Sequence, residues 1–287
     1  MTRAMTPPRN PKTTRRVSRI LMYVLLVVLA ICMSLPMIYT LSTAFKGTVF
    51  VFEYPPQFIP KEPTFANFVN AWQSNNFGHY FLNSMFTASM TTIGTVAIAA
   101  TGAYAFARLN FPLKNVFFWT YLLFMMIPGM LYIIPQFLIA KKLHLLNSLM
   151  GLVVFYVAGS VPFHTFLLRG FFQSIPGEIE EAAQMDGASR WQVFTRIALP
   201  LAMPALGTSA IFAFLGSWDE FTLALTFIND ENLRTLPIAI RLFQGQHTAQ
   251  WGLIFAASLI AMVPVVVAYV GFQNLFIKTV NEGGVKT

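Results

Sequence analysis

Several long stretches of this chain contain no aspartate, glutamate, lysine or arginine, and each is long enough to cross a lipid bilayer as a helix. A backbone within lipid has no water to satisfy its hydrogen bonds, so such stretches form helices rather than isolated strands. Charged residues are 10% of the 287 residues, against about 25% in an ordinary soluble domain. The chain is therefore predicted to be an all-α membrane protein.

Six membrane-spanning helices are predicted from these apolar stretches, and prolines fall inside several of them. We expect each proline to kink its helix, because proline has no N–H to donate within the helix. Such a kink either lines a cavity in the bundle or is only an irregularity of packing. The predicted spans are Ile20–Leu41, Phe81–Ala107, Val116–Ile139, Ser148–Leu168, Ile197–Phe227 and Trp251–Ile277. The prolines are Pro36, Pro128, Pro135, Pro162, Pro204 and Pro264.

These spans divide the chain into three parts. Residues 1–19 are rich in proline and basic side chains and are predicted to be a disordered cytoplasmic leader. Residues 20–277 form the six-helix transmembrane domain, and residues 278–287 form a cytoplasmic tail. The first span is predicted to be retained rather than cleaved as a signal, because its apolar run exceeds a signal core and five more spans follow.

The distribution of lysine and arginine predicts the orientation in the membrane. With the amino terminus inside, thirteen of the 19 cations lie on the inner side and six lie outside. Both termini are therefore predicted to be cytoplasmic, together with the polar loop of residues 174–200. The inner cations are Arg3, Arg9, Lys12, Arg15, Arg16, Arg19, Arg108, Lys114, Arg169, Arg190, Arg196, Lys278 and Lys286, and the outer ones are Lys46, Lys61, Lys141, Lys142, Arg234 and Arg241.

Motifs for other kinds of protein are absent from the sequence. No Gly-x(4)-Gly-Lys-[Ser/Thr] phosphate-binding loop is present, so the chain is expected to draw its energy from another subunit. Neither a paired-cysteine zinc pattern nor a His-Glu-x-x-His or Gly-x-Ser-x-Gly motif occurs, so no metal and no catalytic residue is predicted. The net charge of +8 is attributed to cations beside membrane helices rather than to nucleic-acid binding. Cys32 is the only cysteine, which excludes an intrachain disulfide.

The polar loop, residues 174–200, carries the signals of two short helices. Ser174 is expected to cap a first helix, which begins near Pro176 and has acidic residues in its first turn. Gly187 is expected to end this helix in a left-handed conformation. Ser189 then opens a capping-box pattern that starts the second helix. The loop is thus predicted to be a rigid helix–turn–helix between the fourth and fifth spans.

The same loop contains the pattern E-A-A-x(3)-G-x(9)-I-x-L-P. This pattern resembles the EAA loop of ABC-importer permeases, whose small helix sits in a cleft of an ATP-binding subunit. The resemblance implies ATPase contact by Glu181, Ala182, Ala183 and Gly187, and a role in the shape of the loop for Asp186, Ile197, Leu199 and Pro200. Helix signals alone are equally compatible with a loop that lies on the membrane surface.

Further segments, distributed over nearly the whole chain, resemble sugar-importer permeases of the maltose-permease type. The terminal segment departs from the family's Gly-Ala-Val-Lys ending at Gly284, in a tail that reaches the ATPase interface in that family. The similar segments are Leu41–Lys46, Asn83–Ser84, Ala103–Arg108, Met126–Gly129, Trp218–Phe221, Arg234–Pro237 and Gly283–Lys286.

This resemblance implies a type I ABC-importer permease fold with six transmembrane helices and both termini cytoplasmic. The chain is expected to be a non-catalytic permease subunit in the plasma membrane of a bacterium or archaeon. It would form half of the translocation pathway for a sugar or related polyol. Its expected partners are a second homologous permease, two ATP-binding subunits holding ATP and magnesium, an extracytoplasmic solute-binding protein and membrane lipid. No cofactor is expected on this chain, and no nucleic acid.

Six residues within or beside the spans are candidates for the substrate pathway. Carboxylates at membrane depth normally face a cavity, a partner or water. Asp219 and Glu220 therefore either bind sugar hydroxyls beside a stacked Trp218 or, as we favour, hold the outer gate or the binding-protein contact. His164 either faces a polar cavity or, as we favour, is hydrogen-bonded within the packing. The six candidates are Met126, Pro128, His164, Trp218, Asp219 and Glu220.

Two other functions rank below the importer. A secondary transporter or channel would place coupling-ion sites near the bilayer midplane, in discontinuous helices and inverted repeats. We see no lone charged residue at a span centre and no repeat between the two halves. An intramembrane enzyme would need a catalytic pair inside a span, and no convincing pair is present.

Overall fold

The structure is a computed structural model that describes residues 11–49, 52–74, 76–245 and 249–283, with side chains between residues 19 and 271. This part of the chain is helical and contains no β-strand beyond one isolated bridge. The helices are α1 (Pro11–Ala44), α2 (Ala66–Gln73), α3 (Phe77–Arg108), α4 (Lys114–Met126), α5 (Ile133–Lys142), α6 (Leu149–Ser174), α7 (Gly177–Met185), α8 (Arg190–Val193), α9 (Leu199–Leu201), α10 (Met203–Trp218), α11 (Thr222–Phe227), α12 (Leu236–Leu242) and α13 (Trp251–Gly283).

Four helices in the described part are long and apolar enough to cross a membrane unbroken, and two bent pairs bring the total to six if each pair is one span. The continuous segments are Arg19–Ala44, Phe77–Arg108, Leu149–Ser174 and Trp251–Gly271. The bent pairs are Lys114–Met126 with Gly129–Lys142, at 98°, and Arg190–Leu201 with Met203–Trp218, at 76°. The all-α membrane fold is confirmed, but the third and fifth predicted spans are broken helices rather than continuous ones.

Both breaks occur beside prolines. Ile127 has extended backbone (φ −82°, ψ 122°), the conformation that a following proline favours, and Pro128 is extended as well. The second break lies at Ala202, whose ψ of 1° leaves the helical region two residues before Pro204. A π-helical turn, Phe194–Ala198, precedes this second break.

The helices at the two ends of the transmembrane domain extend beyond its predicted boundaries. α1 begins at Pro11, so its range includes residues 11–19 of the predicted leader. α13 continues to Gly283, into the predicted tail of residues 278–287. Residues 1–10 and 284–287, which include the rest of the leader and the family-like ending, lie outside the described residues.

The helix bundle is built around α3, which packs against α6 and α10. Small residues on α3 allow this close approach, as is usual where membrane helices meet. One cluster of buried side chains, which includes Tyr104, Phe172 and Phe194, lies where the polar loop meets the bundle. A second cluster, which includes Phe77 and Trp218, lies at the opposite end of α3. The loops at both ends therefore rest on packed cores.

Candidate functional site

The polar loop of residues 174–200 folds as two helices joined by a turn at Gly187. α7 ends in a Schellman arrangement, in which the N–H of Ala188 donates to the carbonyl of Ala183 and the N–H of Gly187 donates to that of Gln184, both at 3.0 Å. Gly187 has a φ of +89°, a conformation that side chains disfavour. The predicted left-handed stop is confirmed.

The second helix of the loop starts with the predicted capping box. The Ser189 hydroxyl accepts from the N–H of Gln192 at 3.3 Å, and the Gln192 side chain accepts from the N–H of Ser189 at 2.8 Å. The predicted cap by Ser174 is wrong. Ser174 is the last residue of α6, its hydroxyl donates to the carbonyl of Phe171 at 2.7 Å, and extended backbone before Pro176 separates it from α7.

The motif residues divide between the loop surface and its interior. The exposed ones are Glu181, Ala182, Asp186, Gly187 and Pro200, and the half-buried ones are Ala183, Ile197 and Leu199. Three large apolar side chains of the loop are exposed too: Ile179, Trp191 and Met185, the last by 88%. These exposed apolar side chains are candidates for a surface that another protein covers.

Glu180, beside the motif, is the carboxylate that fastens α7 to the membrane bundle. It is only 5% exposed. The Tyr104 hydroxyl donates to Glu180 Oε2 at 2.9 Å, and Arg108 Nε donates to Glu180 Oε1 at 2.8 Å. Arg108 Nη2 also donates to the carbonyl of Ile175, at the start of the loop. Each oxygen of the buried carboxylate accepts a hydrogen bond, and the bond from arginine is charge-assisted, so this contact stabilises the position of α7 against the bundle.

Sequence reasoning missed Glu180 because it precedes the motif and carries the same charge as its exposed neighbours. A signal for it exists on α3. Tyr104 and Arg108 are four residues apart, so they lie on one face at the end of a span. Two donors placed together at the end of a span can share one carboxylate, and in the structure Glu180 in the first turn of α7 supplies it.

A cavity of about 390 Å³ lies between α5, α6, α10 and α11. We call it the midspan cavity, because Ser160 on its wall is roughly 17 Å along α6 from Leu149, about half of a bilayer core. Polar side chains on its wall include Gln136, Ser217 and Thr222, and Tyr132 and Tyr156 provide aromatic surface. Such a mixture of hydroxyl, amide and aromatic groups suits a neutral, hydroxyl-rich ligand.

Glu220 supplies the carboxylate of the midspan cavity. Its Oε2 accepts from the Tyr156 hydroxyl at 2.7 Å and from the N–H of Ala224 at 3.1 Å. Its Oε1 accepts from the N–H of Leu223 at 2.8 Å. The negative charge is thus stabilised by the amino-terminal end of α11, where unpaired N–H groups favour an anion.

The other five candidates for the substrate pathway do not line the midspan cavity. Trp218 is 2% exposed, and its ring packs between Phe81 and Phe214. Trp218 and Asp219 both line a separate cavity of about 340 Å³, together with Arg241.

The remaining candidates are Met126, Pro128 and His164. Met126 is exposed, and Pro128 lies at the break that precedes the cavity-lining Gly129. His164 is 3% exposed and hydrogen-bonded through Nδ1 to the Ser209 hydroxyl at 2.8 Å, which is the packing role favoured above. No group of histidine, cysteine or acidic residues that would hold a metal ion occurs among the residues the structure describes.

Comparisons with known proteins match this arrangement. Residues 98–282, which include the polar loop and the midspan cavity, match the family described as binding-protein-dependent transport system inner membrane component. The chain is 35% identical over 251 residues, 88% of each chain, to the sulfoquinovosyl glycerol transport system permease protein SmoH of Agrobacterium fabrum. It is 33% identical over 263 residues, 91% of this chain and 87% of the relative, to the diacetylchitobiose uptake system permease protein NgcG of Streptomyces coelicolor.

The fold is also similar to that of a solved structure. A chain from the crystal structure of a bacterial ABC transporter involved in the import of the acidic polysaccharide alginate superimposes with a TM-score of 0.79 at 24% identity. The similarity covers 94% of this chain and 100% of that chain. At this level of identity the comparison shows the fold.

Proposed function

Because this chain belongs to the family of inner membrane components of binding-protein-dependent transport systems, we propose that it is the permease subunit of an ATP-driven importer for a sugar. It is a multi-pass protein of the bacterial plasma membrane. It is a transport subunit rather than an enzyme, and the ATPase is a separate subunit. The observation that carries the proposal is the exposed helix α7, which presents the E-A-A pattern at the end of a membrane bundle.

The substrate is assigned to the sugars, meaning a mono-, di- or oligosaccharide or a related polyol. The names of the two relatives, at 35% and 33% identity, specify a sulfoquinovosyl glycerol and a diacetylchitobiose. The midspan cavity supports the same class, because hydroxyl and amide groups on its wall pair with sugar hydroxyls and aromatic rings pack on sugar faces. Its carboxylate, Glu220, is already occupied by three donors, so it shapes the wall rather than meeting a cation.

The docking surface for the ATPase is assigned to the solvent-exposed face of the polar loop, on the side away from the membrane bundle. Ala182 leaves room for close backbone approach, while Ile179 and Met185 offer apolar area on the same helix. Glu181 adds a charge at the edge of this patch. Ala183 and Gly187 complete the proposed contact, and Asp186, Ile197, Leu199 and Pro200 determine the shape of the loop.

The remaining partners are inferred from the family. A second homologous permease completes the translocation pathway, and two ATP-binding subunits hold ATP and magnesium. An extracytoplasmic solute-binding protein delivers the sugar. On this proposal, ATP binding closes the ATPase pair and moves α7, which turns the midspan cavity outward to receive the sugar. Hydrolysis then returns the cavity to the inner side.

The proposal is tested by purifying the tagged chain from membranes of cells that also express its partner subunits. We expect an ATPase and a second permease to co-purify. Ala182→Arg places a long charged side chain in the centre of the docking surface and is expected to lower ATPase recovery at least tenfold while the second permease remains. The readout is quantitative mass spectrometry of the eluate.

A matched control is Ile59→Arg, because Ile59 is 83% exposed on the segment between α1 and α2, at the other end of the molecule. This variant is expected to retain both partners. Full ATPase recovery with Ala182→Arg would contradict the assignment of the docking surface. If no ATPase co-purified with the unsubstituted chain, the proposal that the chain belongs to an ATP-driven importer would be contradicted.

A further inference from the structure

Two buried polar contacts lie at opposite ends of α3. At one end, Glu180 of α7 accepts from Tyr104 and Arg108, and Arg108 reaches the carbonyl of Ile175. We call this set the inner junction. It joins α3 to the helix that carries the docking surface, by hydrogen bonds to a charged group that is shielded from water.

The outer junction joins the other end of α3 to the segment that follows α11. The amide of Asn83 donates to the carbonyls of Asn232 and Arg234 at 2.8 and 2.9 Å. The hydroxyl of Ser84 accepts from the N–H of Leu236 at 2.8 Å. Asn83 and Ser84 are both buried, so these bonds do not compete with water. They hold residues 232–236, which lie on the face of the membrane opposite to α7.

Between the junctions, α3 is an unbroken helix. It contains no proline, and from Asn83 to Arg108 it extends roughly 37 Å at the usual rise per residue. Fully buried small residues recur at every fourth position along it and pack against the neighbouring helices, which limits bending. They are Thr87, Thr91, Thr95, Ala99 and Ala103.

The covalent connections of α7 change direction before they reach the neighbouring spans. Towards α10 the chain passes through the π-helical turn Phe194–Ala198 and the 76° break at Ala202. Towards α6 it passes through extended backbone at Ile175 and Pro176. The inner junction instead joins α7 directly to α3, which is a continuous helix from Phe77 to Arg108.

We propose that α3 transmits movement of the docking helix α7 to residues 232–236 on the opposite face of the membrane, through the inner and outer junctions. Glu180, Arg108 and Asn83 are then positioning residues, which act through α3 rather than on a substrate. This inference rests on the proposed function, because it takes α7 as the element that an ATPase moves. It specifies which membrane helix carries the signal.

The test measures a distance in the full complex of the chain with its ATPase subunits, purified in lipid nanodiscs. Spin labels are placed at Met33 on α1 and at Glu231 beside the outer junction, both exposed, in a chain in which Cys32→Ser removes the native thiol. The distance between the two labels is measured by double electron–electron resonance, first without nucleotide and then after the complex is trapped with ATP and vanadate. Trapping is expected to shift the distance distribution in the otherwise unaltered complex.

Two variants test whether the junctions transmit the movement, rather than only stabilise the fold. The double substitution Arg108→Gln with Glu180→Gln removes both charges of the inner junction together, which avoids an unpaired buried charge. It is expected to reduce the trapping-induced shift by at least half while the ATPase stays bound and hydrolyses ATP. Asn83→Asp replaces two donors with acceptors opposite two carbonyls and is expected to have the same effect from the other end. Thr101→Val is the control, because Thr101 is exposed and bonds only to its own helix.

The outcomes are distinct. An unchanged shift in both junction variants, or no shift in the unaltered complex with its ATPase bound, overturns the role of α3. If the double variant does not fold, Asn83→Asp alone decides between these results. Failure to recover any ATPase with the unaltered chain overturns the proposed function instead, before a distance is measured.

Discussion

Gly187 determines where α7 ends, and its positive φ makes it the residue of the polar loop that is least tolerant of substitution. Gly187→Ala is expected to destabilise the turn by about 1 kcal/mol, because a Cβ clashes with the backbone in this region. Faster hydrogen exchange of the backbone amides of α7, followed by mass spectrometry, checks this. ATPase co-purification should fall in parallel.

The control for this change is the glycine at the opposite end of α7. Gly177 lies in the first turn of α7, and a Cβ added there would meet only the far end of Glu181 at 3.9 Å. Gly177→Ala is therefore expected to leave exchange and co-purification unchanged. Equal effects of the two substitutions would show that chain stiffness, rather than the left-handed turn, matters in this loop.

Tyr156 is the side-chain donor that stabilises the carboxylate of the midspan cavity. Tyr156→Phe removes the 2.7 Å hydrogen bond to Glu220 and leaves the charge with two backbone donors. A hydrogen bond to a charged group contributes about 1.5–3 kcal/mol, so the purified protein should melt several degrees lower. Tyr80→Phe is the comparison, since Tyr80 is also buried but lies in the hydrophobic cluster around Phe77 and Trp218. A Tm that is equally low for Tyr80→Phe would argue against a specific role of the Tyr156 hydroxyl.

Single residues were predictable from sequence where the requirement is local. The stop at Gly187 and the capping box at Ser189 depend on a few neighbouring positions, and both are as predicted. The burial of Glu180 and Trp218 depends on contacts with residues far along the chain, with Arg108 and Ala261 respectively. Local patterns contain no information about such partners, so these two environments were missed.

At the scale of elements, the prolines show how far composition predicts helix geometry. Pro36, Pro162 and Pro264 lie inside helices that continue through them, whereas Pro128 and Pro204 lie beside breaks. The difference depends on the residues around each proline. Gly129 follows Pro128 and weakens helix formation there, and a π-helical turn precedes the break beside Pro204, whereas no glycine adjoins Pro36, Pro162 or Pro264.

Pro128 is expected to be the cause of the break between α4 and α5. Pro128→Ala removes the restriction on Ile127 and restores an N–H donor, so the two segments should straighten. Spin labels at Trp119 and Ile139, in the Cys32→Ser chain, should then move apart, towards the roughly 30 Å of a continuous helix. Gly129 should then move away from the wall of the midspan cavity.

Pro135→Ala is the matched control for the break. Pro135 lies in the first turn of α5, where an N–H has no helical partner, so its replacement should leave the distance unchanged. An unchanged distance in Pro128→Ala as well would mean that packing, rather than the proline, holds the 98° bend.

At the scale of the whole molecule, apolar side chains cover the flanks and polar segments lie at the two ends. α1 shows this most clearly, since nearly all of its large apolar side chains between Ile20 and Leu41 are exposed. Such a surface is stable only against lipid or another membrane chain. The polar loop and residues 232–236 lie at opposite ends of α3, so each faces a different side of the membrane.

Which end faces the cytoplasm is predicted from the sequence distribution of cations, which assigns thirteen to the side of the polar loop and six to the other side. The test uses single cysteines in the Cys32→Ser chain, at Ile59 between α1 and α2 and at Asn110 between α3 and α4. Both positions are exposed and lie outside the sites proposed above. A membrane-impermeant maleimide added to intact spheroplasts should label Ile59→Cys, whereas Asn110→Cys should react only after permeabilisation, which also shows that its thiol is reactive. The reverse pattern would place the polar loop outside the cell, where no ATP-binding subunit can reach it, and would contradict the docking assignment together with the orientation.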